Sequence, residues 1–309
     1  MSKRFIIGVD LGGTNLKAAL LDAKYRIRAR QVFSTRRFRK KEELITAITD
    51  SVRGIIAAGR LKKSDILGVG LGLPGPVDHK QGIAHFFPNI PGWKEVNLKK
   101  ILEKKLHLSV SVDNDAKLMS LAEYRLGAAG KFRNVLCLTL GTGVGGALIL
   151  EGKLFRGADN CAGEFGHLPI NESGPRCACG GTACLQSYIG NNQIKRQAAM
   201  AFGRQITLEE LSALAKKKNK KALKLWQDAG RHLGVALTAA VNLLNLDAII
   251  IGGGVANAGE ALFSQTRETV RQRAMSLQAA KAKIFPARLG SDAGLIGAGI
   301  LANEKGRAG

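Results

Sequence analysis

Leu11-Gly12-Gly13-Thr14-Asn15-Leu16-Lys17-Ala18-Ala19-Leu20-Leu21-Asp22 and Leu140-Gly141-Thr142-Gly143-Val144-Gly145-Gly146-Ala147-Leu148-Ile149-Leu150-Glu151 are two versions of one pattern. Each follows an apolar run (Phe5 to Val9; Val135 to Leu138) and returns into another. Both read as strand, tight glycine turn, strand, because glycine reaches φ > 0 without steric cost and hairpin turns need that. A turn of small residues also exposes consecutive backbone N–H groups, a concavity suited to an anion. Either copy alone is also compatible with an ordinary hairpin. Two equivalent copies in one chain suit facing hairpins that grip the two ends of a polyphosphate. The first expectation is therefore a duplicated, two-lobed phosphotransferase.

The bulk properties bound that reading. The chain has 309 residues, 45% of them hydrophobic, with a mean hydropathy of −0.00. That suits two globular domains with sizeable cores. No apolar run approaches the roughly 18–20 residues needed to cross a membrane. Met1-Ser2-Lys3-Arg4 leads straight into the first apolar run without a leader and cleavage site, so the expected location is cytoplasmic. The 47 Lys+Arg against 24 Asp+Glu give a net charge of +23. The cations gather in Arg36-Arg37-Phe38-Arg39-Lys40-Lys41, in Lys99 to Lys105 and in Lys216-Lys217-Lys218-Asn219-Lys220-Lys221. Phosphate contacts with nucleic acid are one reading. Solvated helix faces and loops are preferred, because the runs lack interleaved aromatics and only 5% of the chain is aromatic. A basic surface also concentrates anionic substrates such as nucleotides.

Hydrophobic periodicity predicts strands at 4–10, 16–21, 26–34, 66–72 and 108–113, with helices at 41–58, 96–106 and 115–127. A loop is expected between 72 and 96. The pattern restarts with strand, hairpin and strand over 134–150, followed by a cysteine-rich loop and a long helical region from 182 to 246. Strand 247–251 ends in Gly252-Gly253-Gly254, helix 259–277 and strand 282–287 come next, and a final helix opens at Ser291-Asp292. This organisation predicts a small α/β lobe over 1–116 and a large α/β lobe over 117–291 that carries loop 163–186. The C-terminal helix, about 292–309, is expected to pack back on the small lobe.

Several residues are candidates for chemistry. Asp10 ends the first strand beside Gly12-Gly13-Thr14, where a carboxylate can hold Mg²⁺, directly or through water, next to phosphates on the turn. Asp115 follows Val112-Asp113-Asn114 at a strand-to-helix junction. It reads either as a helix cap or as a general base that takes a proton from an attacking hydroxyl, with Asn114 bonding a neighbouring hydroxyl. Of the five cysteines, Cys137 reads as a small apolar strand residue and Cys161 lies in a loop with no evident partner. Gly163-Glu164-Phe165-Gly166-His167 precedes Cys177-Ala178-Cys179-Gly180-Gly181-Thr182-Ala183-Cys184. One imidazole and three thiols so close together suit tetrahedral Zn²⁺ in a closed, structural site. A redox Cys-x-Cys pair is the alternative.

These segments occur together in an order that resembles the ROK family (repressors, open reading frames and sugar kinases), in particular its bacterial glucokinases. The resemblance is carried by Asp10-Leu-Gly-Gly-Thr14, Pro74-Gly75-Pro76-Val77-Asp78 and Pro88-Asn89-Ile90-Pro91-Gly92-Trp93. It continues through Asn114-Asp115-Ala116, the second glycine hairpin, Gly163 to His167, the three cysteines and Ile251-Gly-Gly-Gly-Val255, from about residue 4 to residue 303. It implies the actin-like, ribonuclease-H-like α/β fold, two lobes with ATP and sugar in a central cleft. It further implies an ATP-dependent hexose kinase of glucokinase type acting on the 6-hydroxyl, with Mg²⁺ and a structural Zn²⁺ held by His167, Cys177, Cys179 and Cys184. Asp115 would be the catalytic base, and Gly75, Asn89, Asn114, Glu164 and His167 would contact sugar. Gly12, Gly13 and Thr14 would face phosphate on one side, Thr142 and Gly143 on the other. Gly253 and Gly254 would let the backbone approach the adenosine. The resemblance also implies a homodimer, or a tetramer, and no membrane or nucleic-acid partner.

Two positions depart from the family pattern. Gln186 stands where the family carries a sugar-binding Glu, and an amide donates as well as accepts. Lys117 replaces the usual Asn after Asn-Asp-Ala, adding a cation near the base. Both bear on which hexose is preferred, and an N-acylhexosamine kinase or a fructokinase is the alternative within kinases. A sugar-sensing regulatory protein is the alternative of another class. Repressors of the family add an N-terminal DNA-binding domain, for which the nine residues before Asp10 are expected to leave almost no room.

Overall fold

The computed structural model describes residues 5–13, 15–35, 38, 40–87 and 93–306. The first glycine hairpin is made by β1 (Phe5–Leu11) and β2 (Asn15–Leu21), paired antiparallel from Ile6↔Leu21 to Leu11↔Leu16. β3 (Ile27–Ser34) adds antiparallel to β2. The chain then forms α1 (Lys41–Ala58) and returns as β4 (Ile66–Leu73), parallel to β1 on its other side. Next come three short strands, β5 (Val77–Asp78), β6 (Ile83–Phe86) and β7 (Lys94–Asn97), then α2 (Leu98–Leu106). β8 (Val110–Asn114) pairs parallel with β4, and α3 (Asp115–Leu126) follows it directly.

The second hairpin repeats this plan. β9 (Val135–Leu140) and β10 (Val144–Leu150) pair antiparallel, and β11 (Lys153–Phe155) extends them. After the cysteine-rich loop come α4 (Gln186–Ile189), α5 (Asn191–Phe202), α6 (Leu208–Lys216) and the long α7 (Lys220–Leu244). β12 (Ala248–Gly252) pairs parallel with β9. α8 (Glu260–Arg273), α9 (Ser276–Lys281) and β13 (Lys283–Pro286) follow, with β13 parallel to β12. The last helix is α10 (Ala293–Gly306). The two five-stranded sheets run β3-β2-β1-β4-β8 and β11-β10-β9-β12-β13. Counted from its own hairpin, each reads third, second, first, fourth, fifth.

The chain divides into two units. One comprises Met1–Arg125, Arg156–Cys161 and Ser291–Gly309, the other Leu126–Phe155 and Ala162–Gly290. The boundary expected between 116 and 117 falls inside α3, which runs as one helix.

In the first unit, strand alternation sorts the core into two faces. Ile7, Val9 and Leu11 pack with Leu44, Ile48, Val52 and Ile55 of α1 and with Leu98, Leu102 and Leu106 of α2. Each such fully buried aliphatic side chain stabilises by about 1.5–3 kcal/mol. Ile6 and Leu21 face the other way and meet Ala302 of α10. That helix lies so close to the sheet that a Cβ on Gly70 would collide with the Ala298 carbonyl. In the second unit, Leu136, Leu138, Ile249 and Ile251 pack on Trp226, Leu233, Leu237 and Val241 of α7. That helix opens with Asn219 accepting from the Ala222 N–H.

The structure differs from the periodicity reading at several points. Between 72 and 96 the expected loop contains the three-stranded sheet β5-β6-β7, and α2 begins at Leu98, where Asn97 accepts from the Lys100 N–H. The helical region 182–246 is four helices. Gly190 is extended, Gly203 sits at φ 69°, and Thr207 and Asn219 each cap a new start. The helix expected over 259–277 ends at Arg273, where Ala274 turns extended.

Candidate active site

In the first unit the candidate residues gather at the carboxyl ends of parallel strands, the usual place for ligands in such sheets. The register aligns Asp10 with Gly72, and Gly72 with Asp113. Alternation turns Asp10 to the face covered by α10, where an added Cβ on Gly294 would lie 2.7–3.0 Å from its carboxyl atoms. Burial pushes the Asp10 carboxyl up from its ordinary value, and the Lys17 ammonium pulls it the other way. Gly12 N–H donates to the Asn15 carbonyl at 2.9 Å, closing the turn around Gly13. Thr14 lies outside the described residues, as does Asn89. The ends of the segment carrying Asn89 are marked by Phe87 and Trp93, both buried, with ring centroids 5.4 Å apart.

The β8–α3 junction brings Gly75, Asn114 and Asp115 together. Gly75 has φ 86°, a conformation suited to glycine, and its carbonyl accepts from Asn114 Nδ2 at 3.1 Å. Asn114 Oδ1 accepts from the Lys117 N–H at 3.1 Å, so its amide is held at both ends. Asp115 Oδ1 accepts from the Ala116 N–H at 2.8 Å. Behind this junction lies a pair that sequence reading did not single out. Asp113 is fully buried, accepts the Asn114 N–H at 2.8 Å and receives Arg156 through two bonds of 2.9 and 2.5 Å. Asn160, from the same short segment as Arg156, accepts from Lys117 Nζ through its carbonyl and meets His79 Nδ1 through its side chain at 2.8 Å. Lys117 is thus buried and bonded to the chain, where the sequence suggested only a cation near the base.

In the second unit the turn Gly141–Gly143 closes by a 2.9 Å bond from Gly141 N–H to the Gly143 carbonyl. The α4–α5 junction rests on it, with Asn191 N–H donating to the Gly141 carbonyl at 2.9 Å. Gly253, at φ 90°, lies so close to the end of β9 that a Cβ there would collide with the Leu140 carbonyl. Gly254 adjoins the Asn191 side chain. Thr142, Gly143, Gly253 and Gly254 are therefore neighbours around the end of one strand. Asn191, whose Oδ1 is buried without a hydrogen-bond partner, had no sequence signal beyond its place after a glycine.

Glu164 precedes and His167 ends the 3-10 turn Phe165–His167, and the Glu164 carbonyl accepts from the His167 N–H at 3.0 Å. Three residues apart on such a turn, they share one side. The ligand atoms of His167, Cys177, Cys179 and Cys184 all lie within 4.8 Å of one another. Cys179 and Cys184 sulfurs are 3.7 Å apart, and Cys177 Sγ is 3.7 Å from His167 Nδ1. Tetrahedral zinc with bonds of roughly 2.3 Å to sulfur requires edges of roughly 3.7 Å, so the donor set fits the metal in kind and number, and these two separations match its edges. Burial opposes ionisation of Cys177. Hydrogen bonds from the Cys179 backbone and from the side chains of Gln186, Cys179 and Ser187 outweigh it and bring the thiol to about 6. Burial, then the neighbouring cysteines, push Cys184 up to about 12. Gln186, expected from the resemblance to face sugar, donates from Nε2 to Cys177 Sγ at 3.2 Å. Its Oε1 lies 2.8 Å from where a Cβ on Gly143 would stand.

With both glycine hairpins, the Asn114-Asp115 junction and the Cys₃His cluster in place, the ROK family profile matches residues 6–305. The chain belongs to the ROK family. It is 34% identical over 320 residues to a glucokinase of Halalkalibacterium halodurans, covering 99% of this chain and 97% of that protein. Among solved structures it is similar to a ROK family glucokinase from Streptomyces griseus in complex with glucose and AMPPNP. That match has 32% identity and a TM-score of 0.84, over 97% of this chain and 99% of the other. It is also similar to a ROK hexokinase from Thermus thermophilus, at 32% identity and TM-score 0.81, over 99% of this chain and 100% of that one. The fold of this ROK protein is the α/β, actin-like and ribonuclease-H-like one, with its two sheets of matching strand order.

Proposed function

We propose that this chain is an ATP-dependent hexose kinase of glucokinase type, transferring the γ-phosphoryl group of MgATP to the 6-hydroxyl of glucose. The observation that carries this reading is the Asn114-Asp115 junction, held by Gly75 and Asp113 at the strand ends beside Asp10. Full-length similarity to glucokinases supports it.

In the proposed reaction Asp115 accepts the proton of the sugar 6-hydroxyl while that oxygen forms its bond to the γ-phosphorus. The bond from phosphorus to the bridging oxygen breaks, and ADP leaves with that electron pair. Catalysis of this kind is positioning plus electrostatics. Asn114, Asn89 and the Gly75 backbone hold sugar hydroxyls near the base, and Glu164 and His167 hold those nearer the anomeric carbon. Gly12, Gly13 and Thr14 face phosphate from one turn, with the Gly12 N–H engaged in closing it, Thr142 and Gly143 face it from the other, and Gly253 and Gly254 admit the adenosine. Asp10 is a half-buried carboxylate suited to a divalent cation. Mg²⁺ held there, directly or through water, supplies neutralising charge for the phosphates. The Cys₃His cluster holds Zn²⁺ as a structural clamp for the turn bearing Glu164 and His167, leaving the second ring nitrogen of His167 for a hydroxyl.

We place the protein in the cytoplasm as a homodimer, or a tetramer, acting in glycolysis. Among the described residues no helix is long and apolar enough to cross a membrane, and light scattering after gel filtration tests the assembly. A coupled ADP-release assay with glucose, mannose, fructose, N-acetylglucosamine and N-acetylmannosamine tests the function. Glucose should give the highest kcat/KM. A preference for an N-acylhexosamine or fructose would move the assignment within kinases, and no sugar-dependent ADP release would overturn it in favour of a sugar sensor.

A further inference from the structure

Gln186 makes two contacts within its own unit. Its Nε2 donates to Cys177 Sγ at 3.2 Å. Its Oε1 rests on Gly143, so closely that a Cβ on that glycine would stand 2.8 Å from the oxygen. The following residues meet the same turn. A Cβ on Gly190 would lie 2.8 Å from the Thr142 carbonyl, and Asn191 N–H donates to the Gly141 carbonyl at 2.9 Å. One helical turn of chain, from Gln186 to Asn191, thus spans from a cysteine of the cluster to the glycine turn. A glutamate at 186 would lose the donated bond to Cys177, because a carboxylate only accepts.

We propose that Gln186 is a positioning residue that couples the Cys₃His metal cluster to the turn Gly141–Gly143, so that occupancy of the metal site sets the geometry of the turn offered to nucleotide phosphate. The proposal rests on the reading of the cluster as a metal site and of the turn as a phosphate site. Donation from Gln186 orients the Cys177 sulfur, as outer hydrogen bonds commonly do for metal ligands, with typical effects of about 10–100-fold on metal affinity. The same side chain fills the space above Gly143, so the metal and the turn share one lever. Coupling of this kind is reciprocal: whatever displaces the turn must also disturb the metal.

The test uses the purified zinc-loaded protein and has two readouts. The first is the rate at which zinc passes to a coloured chelator, which needs no turnover. Gln186→Ala should release zinc about 10-fold faster, consistent with a lost outer hydrogen bond, and Gln186→Glu at least as fast. Gly143→Ala should speed release in the wild-type background and add nothing in the Gln186→Ala background, because the push reaches the metal through that side chain. The second readout is the split of KM values: Gln186→Ala should raise KM for MgATP more than KM for hexose. Slow zinc release from Gln186→Glu, equal effects of Gly143→Ala in both backgrounds, or a rise confined to hexose KM would each overturn the coupling. A protein that purifies without zinc would remove the metal reading, and the coupling with it. If Gln186→Ala fails to fold, the near-isosteric Gln186→Glu and the single Gly143→Ala variant still decide the matter.

Discussion

Arg156→Ala would leave the Asp113 carboxylate buried without its guanidinium. Removing one partner of a buried ion pair costs about 3–5 kcal/mol, because a charge is left out of water. Here the Asp113 side chain is 1% exposed and that of Arg156 19%, so some water reaches the arginine side. The lower end, about 3 kcal/mol, is expected. At roughly 2–4 °C per kcal/mol for a unit of this size, the melting temperature should fall by about 6–12 °C. Catalysis should suffer too. The same carboxylate accepts the Asn114 N–H, and a shift of about 1 Å in a reacting group can cost about 10²-fold. Thermal melts followed by circular dichroism, with ADP release below the melting range, measure both effects. Asp113→Asn added to Arg156→Ala should recover most of the lost stability, since it removes the stranded charge and keeps an acceptor for Asn114. A single variant that melts within about 2 °C of wild type, with nothing gained in the double, would refute the assigned role of the pair.

Asp115→Ala should lower kcat by about 10²–10⁴-fold while calorimetry still detects glucose and ATP binding; activity within a few-fold of wild type would take Asp115 out of its role. Asp10→Asn should raise the melting temperature of Mg²⁺-free protein at neutral pH and abolish turnover. The folded-state carboxyl lies above its ordinary 3.8, so its contribution to stability is complete below that value and is lost as pH rises through the folded value. The wild-type advantage should accordingly return as pH is lowered toward 4, and an asparagine variant no more stable than wild type at pH 7 would show that burial of Asp10 costs nothing. Metal analysis should find about one zinc per chain. Cys179→Ser should lose it and raise hexose KM, and full activity in a zinc-free protein would contradict the clamp.

The duplicated hairpin made the fold legible because each copy carries its own local signal: an apolar run, a glycine turn and a second run within a dozen residues. The cysteine cluster was legible for the same reason, and Asp10 and Asn114-Asp115 stood out as candidates by their place at strand ends. The Asp113–Arg156 pair was not, because its partners lie 43 residues apart and nothing marks Arg156 among so many cations. The strands over 77–97 are two to four residues long, too short for an alternation to register. The breaks near Gly190 and Gly203 were read through, since apolar spacing resumes after each. Gln186 was placed by resemblance alone, and only coordinates show its amide turned to a sulfur.

The chain passes between its two units four times, after Arg125, Phe155, Cys161 and Gly290, and this has a consequence for synthesis. Domains generally fold in the order they emerge, but the first sheet is covered by α10, the last helix made. Roughly 180 residues separate Asn114 from Ala293, and at about 5–20 residues per second that face stays bare for on the order of 10–40 s. Ile6, Leu21 and Leu67 give that face an apolar patch, while Gly8 and Asp10 from β1 and Gly70 from β4 mark positions where the backbone of α10 or the Asp10 carboxyl later meets the helix. An apolar patch left bare for that time is a surface to which another nascent chain can adhere. The close seat of α10 in the finished protein thus leaves the unfinished one waiting on its last helix for cover.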